Sequence, residues 1–113
     1  MMNDSLDLDR LRQETPHCAG IAWFAGSPLR LVAASGDPDT AAWPSWDEVA
    51  RAAPALLWDG PVASPEVLLR LPDAMLLLAE RTTGVVAVVV ELCQVSAGMA
   101  VVEARMTASQ VGS

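Results

Sequence analysis

The chain has 113 residues, 52% of them hydrophobic, and a formal charge of −7 from 14 acidic against 7 basic residues, every basic one an Arg. That length favours one domain over residues 1–113, with frayed ends at 1–4 and 110–113, and the apolar content is enough for one buried core. A strongly acidic chain without Lys lacks the basic footprint of a nucleic-acid or anionic-lipid binder, so by net charge a charged partner should present basic groups.

The first element expected is a short helix over residues 4–14. Asp4 or Ser5 can cap it, and Asp7 and Asp9 suit its first turns. Leu6, Leu8 and Leu11 give it one narrow apolar stripe, and Pro16 stops it. Residues 17–24 then read as a strand with both faces apolar or small. Ala25-Gly26-Ser27-Pro28 is a turn, and residues 29–35 form a second strand with Arg30 spoiling one face. Gly36-Asp37-Pro38-Asp39 closes that hairpin.

Ser45-Trp46-Asp47-Glu48 is a capping-box pattern and opens the middle helix. Trp46, Val49, Ala50, Ala53 and Leu57 follow at helical spacing, with Asp47, Glu48 and Arg51 off the stripe. Pro54 removes a backbone donor there, which predicts a kink or a split into two pieces. Asp59-Gly60-Pro61 is a stop. Three strands follow at 66–71, 75–80 and 85–92, cut by short turns around Pro72-Asp73 and Arg81-Thr82-Thr83-Gly84. Residues 95–109 read as the last helix, capped by Ser96. Met99, Val102 and Met106 form one apolar line, read as core; Ala97, Ala100, Ala104 and Ala108 form a small-residue line beside it. Glu103, Arg105 and Thr107 mark the expected wet side.

The predicted fold class is α+β, with the order α-β-β-α-β-β-β-α. Strands 18–24 and 85–90 are apolar on both faces and belong at the centre of a sheet covered on both sides. Arg30 sends strand 29–35 to one edge. Glu66 and Arg70, four apart and on one face, send strand 66–71 to the other. A mostly antiparallel five-stranded sheet in the order 2-1-5-4-3 satisfies this. The middle helix then covers one face, and the first and last helices cover the other. The open edge at 66–71 needs cover or a second copy. In an antiparallel self-pair centred on Leu68, Glu66 faces Arg70 of the other copy, twice by symmetry.

Little in the chain points to catalysis. His17, the one histidine, has no paired carboxylate and no serine elbow beside it. Cys18 adjoins it, but neighbours on a strand point to opposite faces. Gly20, Gly26 and Gly36 make no phosphate-cradling loop. Asp37, Asp39 and Asp47 read as turn and cap chemistry and not as metal ligands. Cys18 and Cys93 read as small buried hydrophobes in a reducing compartment, which with the acidic N-terminus and the short apolar runs implies a cytoplasmic protein without a signal peptide or membrane insertion. Trp23, Trp43, Trp46 and Trp58 are core or interface anchors. No catalytic residue, cofactor or metal is expected.

This order of elements resembles the roadblock (dynein light-chain roadblock type) family. So do the stretch Val67-Leu68-Leu69-Arg70-Leu71-Pro72-Asp73-Ala74-Met75-Leu76-Leu77-Leu78 and the Ala- and Met-rich last helix with Glu103-Ala104-Arg105. The similarity covers roughly residues 5–109. Two features depart from the family: Ala25-Gly26-Ser27-Pro28 replaces the usual Asp-Gly turn, and Pro54 interrupts the middle helix. The resemblance implies a profilin-like fold and a non-enzymatic module that dimerises through the middle helix and third strand. It also implies a scaffold or regulator of small Ras-like GTPases, or of a sensor-kinase complex, in the bacterial branch of the family. The Arg-only, Ala-rich composition is compatible with a high-GC bacterium. Carried onto this chain, the homodimer or heterodimer residues are Trp46, Val49, Ala53, Leu57, Glu66, Leu68 and Arg70. The competing reading is a profilin/PAS-like small-ligand sensor with a cavity between sheet and helices.

Overall fold

The computed structural model describes residues 4–15, 17–36, 45–58, 65–92 and 95–111. In chain order these form α1 (Asp4–Glu14), β1 (Cys18–Ala25), β2 (Arg30–Ser35), α2 (Trp46–Leu57), β3 (Glu66–Arg70), β4 (Ala74–Arg81), β5 (Gly84–Glu91) and α3 (Ala97–Ala108). The sheet order is β2-β1-β5-β4-β3, with every neighbouring pair antiparallel. This is the order expected from the charge on the two edges and the apolar runs at the centre.

The physical cause is visible in β5. Val85 to Val90 are all buried, so both faces of this central strand need cover. On one face, Leu8 and Leu11 of α1 and Ala100, Ala104 and Ala108 of α3 pack on Ile21, Trp23, Leu77, Val86 and Val88. On the other, Trp46, Val49, Ala50, Ala53 and Leu57 of α2 pack on Ala22, Phe24, Leu76, Leu78, Val85 and Val89. The Trp46 ring meets Phe24 edge-on, with centroids 6.3 Å apart. Burying one such large side chain is worth about 1.5–3 kcal/mol.

The helix caps follow the sequence. Ser45 accepts from the Glu48 N–H at 3.3 Å, and Ser96 from the Met99 N–H at 3.2 Å. At the far end of α3, Arg81 donates to the Val111 carbonyl at 3.0 Å and the Ser109 carbonyl at 3.3 Å. A cation on those carbonyls suits the negative end of a helix. The residue that follows α1 reaches α3 directly, through Thr15 and Thr107 hydroxyls 2.9 Å apart.

Three expectations need correction. Pro54 does not split α2, which runs as one helix from Trp46 to Leu57. Proline removes a single backbone bond, while Ala53 and Leu57 on either side of it are fully buried against the sheet and hold the axis. The Pro54 carbonyl still accepts from Trp58 at 2.8 Å. Second, α3 is rotated from the expected orientation. Met99, Val102 and Met106 are 53%, 48% and 63% exposed, whereas Ala100, Ala104, Thr107 and Ala108 are buried. An alanine face lets the helix axis approach a valine-rich sheet closely, and a methionine face would hold it off. Third, β1 begins at Cys18 and not at His17, whose φ of 63° takes it out of the extended region.

Trp43, Asp37, Asp39, Cys93 and the Asp59-Gly60-Pro61 stop lie outside the described residues.

Candidate interaction surface

The sheet has two edges, and they differ. On β2, the register against β1 shifts between Trp23 and Phe24, so Val32 is an extra, bulged residue. A bulge twists an edge away from regular pairing. On β3, the register against β4 runs without a shift from Glu66↔Ala79 to Arg70↔Met75. The β3 edge is therefore the flat one.

The outward groups of β3 follow from its inner bonds. Glu80 N–H donates to the Pro65 carbonyl at 2.7 Å, and Leu71 N–H donates to the Ala74 carbonyl at 2.9 Å. Antiparallel bonding alternates residue by residue, so 65, 67, 69 and 71 bond inward to β4. The backbone groups of Glu66, Leu68 and Arg70 are turned to the outer edge. Their side chains share the α3 face of the sheet. Leu68 there is 37% exposed and Arg70 is exposed.

Glu66 is also used within its own chain. Arg105 of α3 donates its Nε to the Glu66 carboxylate at 2.7 Å. Both side chains are part-exposed, so the pair contributes on the order of 0–1 kcal/mol. Its consequence is positional, since it fixes Glu66 beside α3.

On the opposite face, α2 leaves a cleft beside β3. Its volume is about 160 Å³, and Val49, Ala52, Leu56, Leu69, Leu76 and Leu78 line it with Glu48 at the rim. Leu56 and Trp58 are exposed at this end of the helix.

Of the seven residues expected at a dimer contact, the structure brings Glu66, Leu68 and Arg70 together on the open edge. Trp46, Val49, Ala53 and Leu57 are instead buried in the chain's own core. Helical spacing marked them as the apolar stripe of α2, and a domain this small needs that stripe for its own sheet. The outward residues Ala52 and Leu56 leave no periodic signal in the sequence, because one is small and the other is a lone Leu two positions after Pro54.

Cys18 and His17 form no dyad. The Cys18 thiol donates to the Gly20 carbonyl at 3.7 Å, and burial pushes it from an ordinary 9.0 up to about 11. A thiol held protonated is a poor nucleophile. Among the described residues, no group of three His, Cys, Asp or Glu side chains is arranged to hold a metal ion, and no helix is long and apolar enough to cross a membrane.

The chain is similar to a solved structure, the crystal structure of a Roadblock/LC7 domain from Streptomyces avermitilis. The two superpose with a TM-score of 0.67 at 20% identity, covering 95% of this chain and 92% of that one. The chain has the roadblock/LC7 fold. At that identity the likeness speaks for the architecture, and no family model or curated protein matches the sequence.

Proposed function

We propose that the chain is a non-catalytic interaction module that works as a dimer joined through β3, and that it holds a small Ras-like GTPase or its signalling complex. The observation that carries the dimer is the flat β3 edge with its self-complementary charges. In a two-fold antiparallel pair centred on Leu68, each outward residue meets a partner residue whose backbone groups are also turned outward. Every facing pair then exchanges two backbone hydrogen bonds. Glu66 stands opposite Arg70 of the other copy. Each such cross-strand pair is worth about 0.2–1 kcal/mol, which sets register more than affinity. On the α2 face, the apolar cleft beside β3 offers Leu56 and Ala52 a place to pack against the second copy's helix. The same geometry accommodates a heterodimer with a related chain.

Sedimentation at micromolar concentration tests the dimer. The native chain should run as a dimer and Leu68→Asp as a folded monomer; a monomeric native chain sinks the proposal. The GTPase reading rests on the family resemblance and the roadblock fold. It is tested by purifying the tagged chain from its native host, where recovery of no nucleotide-binding protein would remove that partner and leave the fold untouched. The ligand-sensor reading has one apolar opening to draw on among the described residues, the cleft of about 160 Å³ between α2 and the β3 side of the sheet, and we favour the interaction module because that cleft lies beside the flat β3 edge.

A further inference from the structure

Of the three residues that β3 turns outward, Glu66 is the acid, and α3 already holds it. Arg105 donates its Nε to the Glu66 carboxylate at 2.7 Å, with the two side chains 55% and 31% exposed. α3 packs over β4 and β5, so Arg105 reaches Glu66 from the inner side of the strand. In a pair of copies joined at Leu68, Arg70 of the second copy reaches the same carboxylate from the outer side. The carboxylate then stands between two cations on the α3 face of the sheet. Its two oxygens can accept from both. The two guanidinium groups, however, repel each other across it.

We propose that Arg105 restrains self-pairing at the β3 edge and thereby selects the partner. A related chain with the same β3 charges and no cation at the position of Arg105 pairs with this chain more tightly than a second copy does. This rests on the β3 dimer. In one half of that mixed contact, Arg70 of this chain meets an acid that no second cation holds, and the other half is unchanged. Glu66 lies nearer to each arginine than they lie to one another, so attraction exceeds repulsion and the native pair still forms. Arg105 sets how tightly. Screening acts over about 8–10 Å at physiological salt, too long to cancel a repulsion between two groups that share one carboxylate.

The bond from Nε names the test variant. Gln carries its amide nitrogen on Cδ, where Arg carries Nε, so Arg105→Gln keeps a donor to Glu66 and removes the charge. Sedimentation over a concentration series at about 0.1 M salt should give a dimer dissociation constant about threefold lower for Arg105→Gln than for the native chain. Arg105→Lys, which keeps the charge, should stay with the native chain. Labelled native chain should bind Arg105→Gln with a constant between those of the two homodimers. In the Arg70→Gln background the change at 105 should lose its effect, because the facing cation is gone; a purely structural role would act there equally. The gain should also shrink at about 0.5 M salt. Arg105 is more than half exposed, so the variant should melt with the native chain; if it melts early, Arg105→Met repeats the comparison with a good helix former. An Arg105→Gln dimer as weak as the native one, or weaker, overturns the proposal and leaves the β3 dimer standing. A native monomer that dimerises on Arg105→Gln removes the native dimer and keeps the restraint. Monomers throughout overturn both.

Discussion

Cys18 and Gly36 show how single positions constrain this fold. The Cys18 thiol is raised to about 11 by burial, with the Gly20 carbonyl and Arg12 opposing that shift and Glu103 adding to it. The folded state therefore favours the neutral thiol. The stability this group contributes is complete below its ordinary value of 9.0 and is lost as pH rises from there toward 11. Urea unfolding midpoints should fall across that window in the native chain, and the fall should shrink in Cys18→Ala. Gly36 follows β2 with φ 104°, and a Cβ there would collide with the Ala19 carbonyl and lie 2.7 Å from the Gly20 Cα. Backbone strain and overlap act together, so Gly36→Ala should cost more than about 1 kcal/mol in the same urea experiment. An unchanged midpoint would mean the turn can open without loss.

Among the elements, α3 is the one whose sequence pattern misleads. Its Met line has the spacing of a core stripe, yet the Ala line is the buried one. Both lines are apolar, so periodicity does not choose between them; the distance at which a helix can lie on a Val-rich strand does. Ala104→Met should overpack that contact and destabilise by about 1–3 kcal/mol, whereas Met106→Lys should stay within about 0.5 kcal/mol. Thermal melts of the two variants would reverse that ranking if the Met line were buried. In α2 the relevant force is again tertiary. Pro54 is a poor helix residue by about 3 kcal/mol relative to Ala in a helix interior. Buried Ala53 and Leu57 keep the helix continuous despite it. Pro54→Ala should therefore raise the melting temperature while leaving the helical content seen by circular dichroism nearly unchanged.

At the scale of the molecule, the proposed dimer is a consequence of unequal sheet edges. The β2 edge is broken by its bulge at Val32, while β3 keeps regular pairing and carries charges that are complementary to a second copy of themselves. Arg70→Glu should weaken association, because each Glu66 would then face an acid across the two-fold axis. Loss is expected as a higher dimer dissociation constant in sedimentation, and an unaltered constant would place the contact elsewhere. The sheet order, both central strands, the two edges and both serine caps were readable from the chain alone. Apolar runs and turn residues act locally, and a strand with two apolar faces has few places to go. The rotation of α3 and the survival of α2 through Pro54 were not readable. Each depends on how closely a helix approaches a particular strand. The interaction surfaces fall on the same divide. Glu66 and Arg70 announce themselves by their spacing on one strand. That their backbone groups turn to the outer edge was decided only by the register of β3 against β4, in which Glu66 pairs with Ala79 and Arg70 with Met75.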